Sequence, residues 1–118
     1  MFYLKVLLEA PLSVAIFLLC SSTLQALPQG GVVVDGNVAI STSQNTMQIN
    51  QSSNKAILNW QSFNIHPNEA VNFKQPSVNS IAINRINAAN GASQILGQLT
   101  ANGNIFLLNP SGILFGKN

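Results

Sequence analysis

The sequence predicts an all-β fold of short strands stacked as the coils of a solenoid, and three observations lead there. Beyond Ala26 the apolar residues alternate with polar ones instead of recurring every three or four positions. The alternating runs are short and bounded by Asn, Gly, Pro and Ser. Asn also stands within or at the ends of these runs, at Asn59, Asn72, Asn84, Asn104 and Asn109, where β-propensity disfavours it. An Asn at the same corner of successive coils can bond to the coils above and below, which accounts for that placement better than a sandwich or closed barrel does.

In chain order, the alternation predicts strands at residues 31–34, 37–40, 46–50, 56–60, 70–73, 80–86, 94–99, 105–108 and 113–115. Asp35-Gly36, Pro67-Asn68, Asn90-Gly91, Asn102-Gly103 and Asn109-Pro110-Ser111-Gly112 supply the corners between them. Ile83, Ile95, Ile105, Leu107, Ile113 and Phe115 are expected to point inward, and Asn84, Gln94 and Gln98 outward. No repeat of fixed period is visible.

Composition narrows the function. The 118 residues are 47% hydrophobic and only 7% charged, with five Lys and Arg against three Asp and Glu. Polarity comes instead from 16 Asn and 9 Gln, neutral groups that form hydrogen bonds. Lys5, Lys55, Lys74, Arg85 and Lys117 are scattered, so few counterions would be released from a phosphate backbone and nucleic acid is not an expected partner. High hydrophobicity with low net charge also argues against disorder.

Residues 1–26 read as a secretory signal peptide: Lys5 precedes an apolar stretch centred on residues 12–19, and Ser21-Ser22-Thr23 follows. Cleavage after Ala26 leaves a domain of residues 27–118. The apolar run is shorter than the ~20 residues a membrane-spanning helix needs, so stable membrane insertion is not expected. Lipid attachment at Cys20 is disfavoured by the bulky Leu19 before it. With the signal goes the single Cys, so no disulfide would staple the exported part.

Catalytic material is scarce in residues 27–118. Asp35 and Glu69 are the two carboxylates there; both read as turn residues, and paired acid–base catalysis has little to work with. His66 is alone and precedes Pro67, so no metal site is expected. Neither a nucleophile elbow nor a phosphate-binding loop is present. The expectation is a protein that is not an enzyme and needs no cofactor.

Six ordered segments then bring in a resemblance. They are Trp60-Gln61-Ser62-Phe63-Asn64-Ile65, Val71-Asn72-Phe73-Lys74-Gln75-Pro76, Ile83-Asn84-Arg85-Ile86, Ser93-Gln94-Ile95-Leu96-Gly97-Gln98-Leu99, Ala101-Asn102-Gly103 and the stretch from Phe106 to Gly116. Together they resemble the secretion domain of two-partner secretion exoproteins, the filamentous haemagglutinin and haemolysin-like group. The resemblance implies a right-handed parallel β-helix with an N-terminal β cap, here its leading, truncated part. It implies export through the inner membrane and recognition in the periplasm by a dedicated outer-membrane two-partner secretion transporter. The destination implied is the surface or surroundings of a Gram-negative bacterium.

The family's Asn-Pro-Asn-Gly turn falls on Asn109, Pro110, Ser111 and Gly112, followed by Ile113, and departs at Ser111. A serine there still makes a side-chain turn bond, more weakly than Asn. That turn has two readings, a transporter-recognition motif or a corner between strands. Arg85, next to Asn84, has two as well: a transporter contact or a cap on backbone carbonyls. Trp60 and Phe63 are expected to pack under the cap. The remaining motif residues are Asn64, Gln75, Pro76, Gln94, Asn102 and Gly103.

Two other functions compete with secretion recognition. A carbohydrate-binding adhesin domain would bind a host glycan or cell-surface receptor, but few aromatics beyond Trp60 remain and no Tyr does. A β-helix polysaccharide lyase lacks its charged catalytic groups. The exported protein is expected to begin at Leu27, as N-terminal sequencing of material recovered beyond the inner membrane would show; an intact Met1 terminus contradicts the signal-peptide reading.

Overall fold

The computed structural model describes residues 26–117; the proposed signal sequence before Ala26, with Cys20, lies outside the described residues. Ten strands follow in order: β1 (Val32–Asp35), β2 (Val38–Ser43), β3 (Thr46–Gln51), β4 (Lys55–Trp60), β5 (Ala70–Lys74), β6 (Ile81–Ile86), β7 (Ser93–Ile95), β8 (Gln98–Ala101), β9 (Asn104–Leu108) and β10 (Ile113–Phe115). A single 3₁₀ turn at Ala88–Asn90 is the helical element among the described residues. The all-β expectation therefore holds. Among the described residues no helix is long and apolar enough to cross a membrane.

The strands form a first sheet in the order β2-β3-β5-β8, a second in the order β1-β4-β6-β9, and a third of β7 and β10. All three contain parallel pairs: β3 with β5 and β5 with β8, β4 with β6 and β6 with β9, and β7 with β10. The first two are mixed sheets, because β2 joins β3 and β1 joins β4 antiparallel at one edge. Ile65 bridges to Ile95 in parallel, beside the third sheet. From β3 onward the chain passes through the first sheet, the second and the neighbourhood of the third in constant order, each pass lying beside the last.

Core residues come from alternate positions of the strands. Met47 and Ile49 on β3, Ala56, Leu58 and Trp60 on β4, Val71 and Phe73 on β5, and Ala82 and Ile86 on β6 are buried, with Phe63, Ile65 and Ile95 from the third side. Each large apolar side chain so placed contributes about 1.5–3 kcal/mol. Trp60 and Phe63 meet edge to face, their ring centroids 5.4 Å apart at 82°, a geometry that adds about 1 kcal/mol. Leu27 closes the N-terminal side, and Gln29 pairs with Ser62 across an antiparallel bridge.

Two expectations about the interior need correcting. Ile83, expected inward, points away from the core, and Asn84, expected outward, is completely buried. The reason is a hydrogen bond: Trp60 Nε1–H donates to Asn84 Oδ1 at 2.9 Å, and Asn84 Nδ2 donates to the Phe106 carbonyl at 3.2 Å. A buried indole N–H without an acceptor would be costly, and Asn84 answers it. Phe115 shares the inward phase of its register partner Ile95 and is 65% exposed on the last strand described. Ile95 is buried as expected, and Ile105, Leu107 and Ile113 are half-buried against the core.

Residues 94–99, expected as one strand, form the end of β7 and the start of β8 with a corner at Leu96-Gly97. A Cβ on Gly97 would overlap the His66 and Glu69 carbonyl oxygens, so only glycine allows the chain to turn this close to the pass beneath. The hairpin between β2 and β3 uses Gln44 at φ 51°, with no glycine to advertise it.

Asn84→Ala strands the Trp60 indole N–H and is expected to lower unfolding stability by about 2–3 kcal/mol, whereas Arg85→Ala at the neighbouring exposed position shifts it by about 0.5 kcal/mol or less. Urea unfolding followed by Trp60 fluorescence measures both.

Candidate functional site

The motif residues fall into three groups set by the path of the chain. The first lies where the second sheet hands over to the third. Asn109 to Gly112 form the turn between β9 and β10 there: Gly112 N–H donates to the Asn109 carbonyl at 2.9 Å, and Ser111 N–H donates to Asn109 Oδ1 at 2.9 Å. Gly112 takes φ 103°, the left-handed region that favours glycine.

This turn is fastened to the one beneath it. Asn109 Nδ2 donates to Ser93 Oγ at 2.9 Å and to the Gly91 carbonyl at 3.1 Å. Ser111 Oγ donates to the Ala88 carbonyl at 2.8 Å, so the serine that replaces the family's Asn still bonds, across to the preceding turn. That preceding turn repeats the design: Asn87 Oδ1 accepts from Ala89 N–H, and Asn90 Nδ2 donates to the Gln61 carbonyl, one pass further back. Pro110, Ser111 and Gly112 remain exposed on a corner whose shape is fixed from behind.

The second group sits where the first sheet hands over to the second. The Asn102 side chain bonds both backbone groups of Gln75, its Oδ1 accepting at 2.6 Å and its Nδ2 donating at 2.8 Å. The Gln75 side chain is buried; Nε2 donates to Gln51 Oε1 at 3.2 Å and to the Asn104 carbonyl at 3.1 Å, while Oε1 accepts from Gly103 N–H at 2.9 Å. Gln51 in turn donates to the Ser53 and Ile81 carbonyls. Gln75, Asn102 and Gly103 are thus brought together, with Pro76 exposed beside them. Gln51 was missed from the sequence, although it ends β3 as Gln75 follows β5.

The third group is dispersed. Trp60, Phe63 and Asn84 are interior, and Gly31 lies directly against the Trp60 ring, so the expected packing beneath the N-terminal segment is present. Asn64 Oδ1 accepts from Gln94 N–H at 2.8 Å, a side-chain bond to the next pass. Arg85 is exposed and its Nε donates to Asn59 Oδ1 at 2.9 Å. The carbonyl-capping role offered for Arg85 is replaced by this side-chain bond. Glu69 Oε1 accepts from His66 N–H, closing its own turn. No cluster of three or more His, Cys, Asp or Glu that could hold a metal is found among the described residues.

What these groups define is a β-stranded scaffold with amide-fastened corners and exposed turns. The profile of the TPS (two-partner secretion) secretion domain matches residues 24–118, and the chain belongs to that family. It is 49% identical over 88 residues, 75% of its length, to a heme/hemopexin-binding protein of Haemophilus influenzae strain Rd. A second heme/hemopexin-binding protein of that species is 41% identical over 108 residues, 87% of the chain. The chain spans 10% and 12% of these two relatives. The solved HMW1 secretion domain of Haemophilus influenzae superposes with a TM-score of 0.72 at 43% identity, covering 77% of this chain and 24% of that one. Proteins with this domain are exported by Gram-negative bacteria.

Asn109→Ala removes three side-chain hydrogen bonds from the first corner and is expected to cost about 2 kcal/mol, while Pro110→Ala, exposed and outside that network, costs less than about 1 kcal/mol. Thermal unfolding of the two variants separates a corner fastened by amides from one held by proline stiffness.

Proposed function

We propose that this chain is the secretion-recognition module of a large exported protein, bound in the periplasm by its cognate outer-membrane transporter. The observation that supports this most is family membership over residues 24–118, in a chain whose exposed corner at Asn109–Gly112 is held rigid from behind. A preformed turn spends little conformational entropy on binding, which suits recognition rather than catalysis. In this reading residues 1–26 are the signal peptide that delivers the chain to the periplasm.

The architecture we infer is the first turns of a right-handed parallel β-helix. Its support is the constant order in which the chain visits the sheets, with Thr46, Ala70 and Gln98 aligned in one row and Lys55, Ile81 and Asn104 in another. β1 and β2 then serve as the N-terminal cap. Winding pass upon pass outside the cell would release folding free energy as the chain emerges. The heme and hemopexin binding named for the two relatives belongs, in this reading, to regions beyond the tenth of their length that this chain spans. Trp60, the ring on which a bound sugar would stack, is 3% exposed, which weakens the adhesin alternative.

The transporter's purified periplasmic domains are expected to retain the exported chain in a pull-down, and cells lacking the transporter are expected to hold it in the periplasm. A folded chain that those domains ignore contradicts the proposal.

A further inference from the structure

Two Asn-Gly pairs stand in the sequence, Asn90-Gly91 and Asn102-Gly103, and each marks a corner. In such a pair the glycine's backbone nitrogen can attack the amide carbon of the asparagine, because the glycine has no side chain to obstruct the approach. The asparagine side chain must swing toward that nitrogen, and the nitrogen must shed its proton. Hydrogen bonds on either group have to open first, so what holds each pair decides how fast it reacts.

At the second pair both groups are held. Asn102 Oδ1 accepts from Gln75 N–H at 2.6 Å and Nδ2 donates to the Gln75 carbonyl at 2.8 Å, so both ends of the carboxamide are engaged. The Gly103 N–H donates to Gln75 Oε1 at 2.9 Å. Gln75 is itself buried and bonded to Gln51 and to the Asn104 carbonyl. Freeing Asn102 therefore means opening a buried knot that ties successive passes of the chain together.

The first pair is held at one end of its carboxamide. Asn90 Nδ2 donates to the Gln61 carbonyl at 2.8 Å, and Oδ1 accepts no hydrogen bond from the described residues. The Gly91 N–H donates to the Ala88 carbonyl at 3.1 Å, closing the 3₁₀ turn. That turn contains no buried residue, and Asn90 and Gly91 are both exposed. A Cβ on Gly91 would meet nothing within 4 Å, so the space around the attacking nitrogen is open. Opening here is local and uncovers no core.

We propose that Asn90 is a site of spontaneous deamidation in the folded chain and that the Gln75 clamp protects Asn102 from the same reaction. The deprotonated Gly91 nitrogen bonds to Asn90 Cγ. The Cγ–Nδ2 bond breaks, and ammonia leaves with the proton that the glycine nitrogen gave up, closing a succinimide ring. Water then opens either ring carbonyl to leave aspartate or isoaspartate at position 90. Aspartate sets a carboxylate oxygen against the Gln61 carbonyl where an N–H had been, and isoaspartate lengthens the main chain of the turn by a methylene. The Asn109–Gly112 corner rests on this turn, through Ser111 Oγ on the Ala88 carbonyl and Asn109 Nδ2 on the Gly91 carbonyl, so conversion loosens that corner as well.

The experiment incubates the purified exported chain in mildly alkaline buffer, with a parallel sample in urea, and assigns conversion to position 90 or 102 by mass-spectrometric peptide sequencing. In urea the two pairs are expected to convert at rates within about twofold of each other, since neither is held; in buffer Asn90 is expected to convert about tenfold or more faster than Asn102. Conversion of Asn90 is expected to quicken as pH rises, because the attacking nitrogen must lose its proton. A smaller ratio in the folded chain, or an Asn90 that stays intact while the urea sample reacts to completion, overturns the proposal. Asn90→Asp, which reproduces one product, is expected to unfold at lower urea than the unaltered chain; an unchanged midpoint overturns the loosening of the corner.

Discussion

The fold depends on hydrogen bonds that side-chain amides make to the neighbouring pass of chain. Parallel strand ladders pair the straight segments, but every corner leaves backbone groups that a neighbouring strand cannot reach. Asn102 takes both backbone groups of Gln75, Asn109 reaches Ser93 and Gly91, Asn90 reaches Gln61, and Asn64 receives Gln94. Each such bond is worth about 1 kcal/mol when made and more when a buried partner is stranded. With six Asp, Glu, Lys and Arg residues spread over residues 27–118, carboxamides do the fastening that ion pairs or disulfides do elsewhere.

One of these amides sits inside the core and decides what the outside looks like. Asn84 is buried because the Trp60 indole needs an acceptor. Strand side chains alternate, so fixing Asn84 inward fixes Ile83 and Arg85 outward, and their register partners Phe106 and Leu108 lie in the same rows. A single polar contact in the interior thereby turns Ile83 and Arg85 to the outer face of the second sheet, while the central row of the first sheet's outer face is Gln48, Asn72 and Thr100.

Much of this could be read from the residues alone, and the failures have identifiable causes. Strand positions were readable because Asn, Gly and Pro interrupt the alternation wherever the chain turns. The phase of β6 was not, because both of its phases contain isoleucine and the polar residue that breaks the tie is the buried one. The corner at Gly97 was hidden because its requirement is the closeness of the His66 and Glu69 carbonyls, which come from a distant part of the sequence. The family motifs pointed to Asn109 to Gly112 and to Gln75 and Asn102, without pairing the last two, and gave no sign of Gln51, whose side chain bonds to Gln75 and Ile81 on the next pass. The amides bond to neighbouring passes as expected, mostly to backbone or to unlike side chains, with Gln75 to Gln51 an amide-on-amide contact.

Hydrogen exchange of the Trp60 indole proton tests the central claim most directly, since that proton is committed to Asn84 inside the core. Slow exchange of the indole and of the Gln75 side-chain amide, against rapid exchange at exposed Asn68, is the predicted result. Exchange of the Trp60 indole at the rate of a free indole, in a chain that is otherwise folded, would contradict the account.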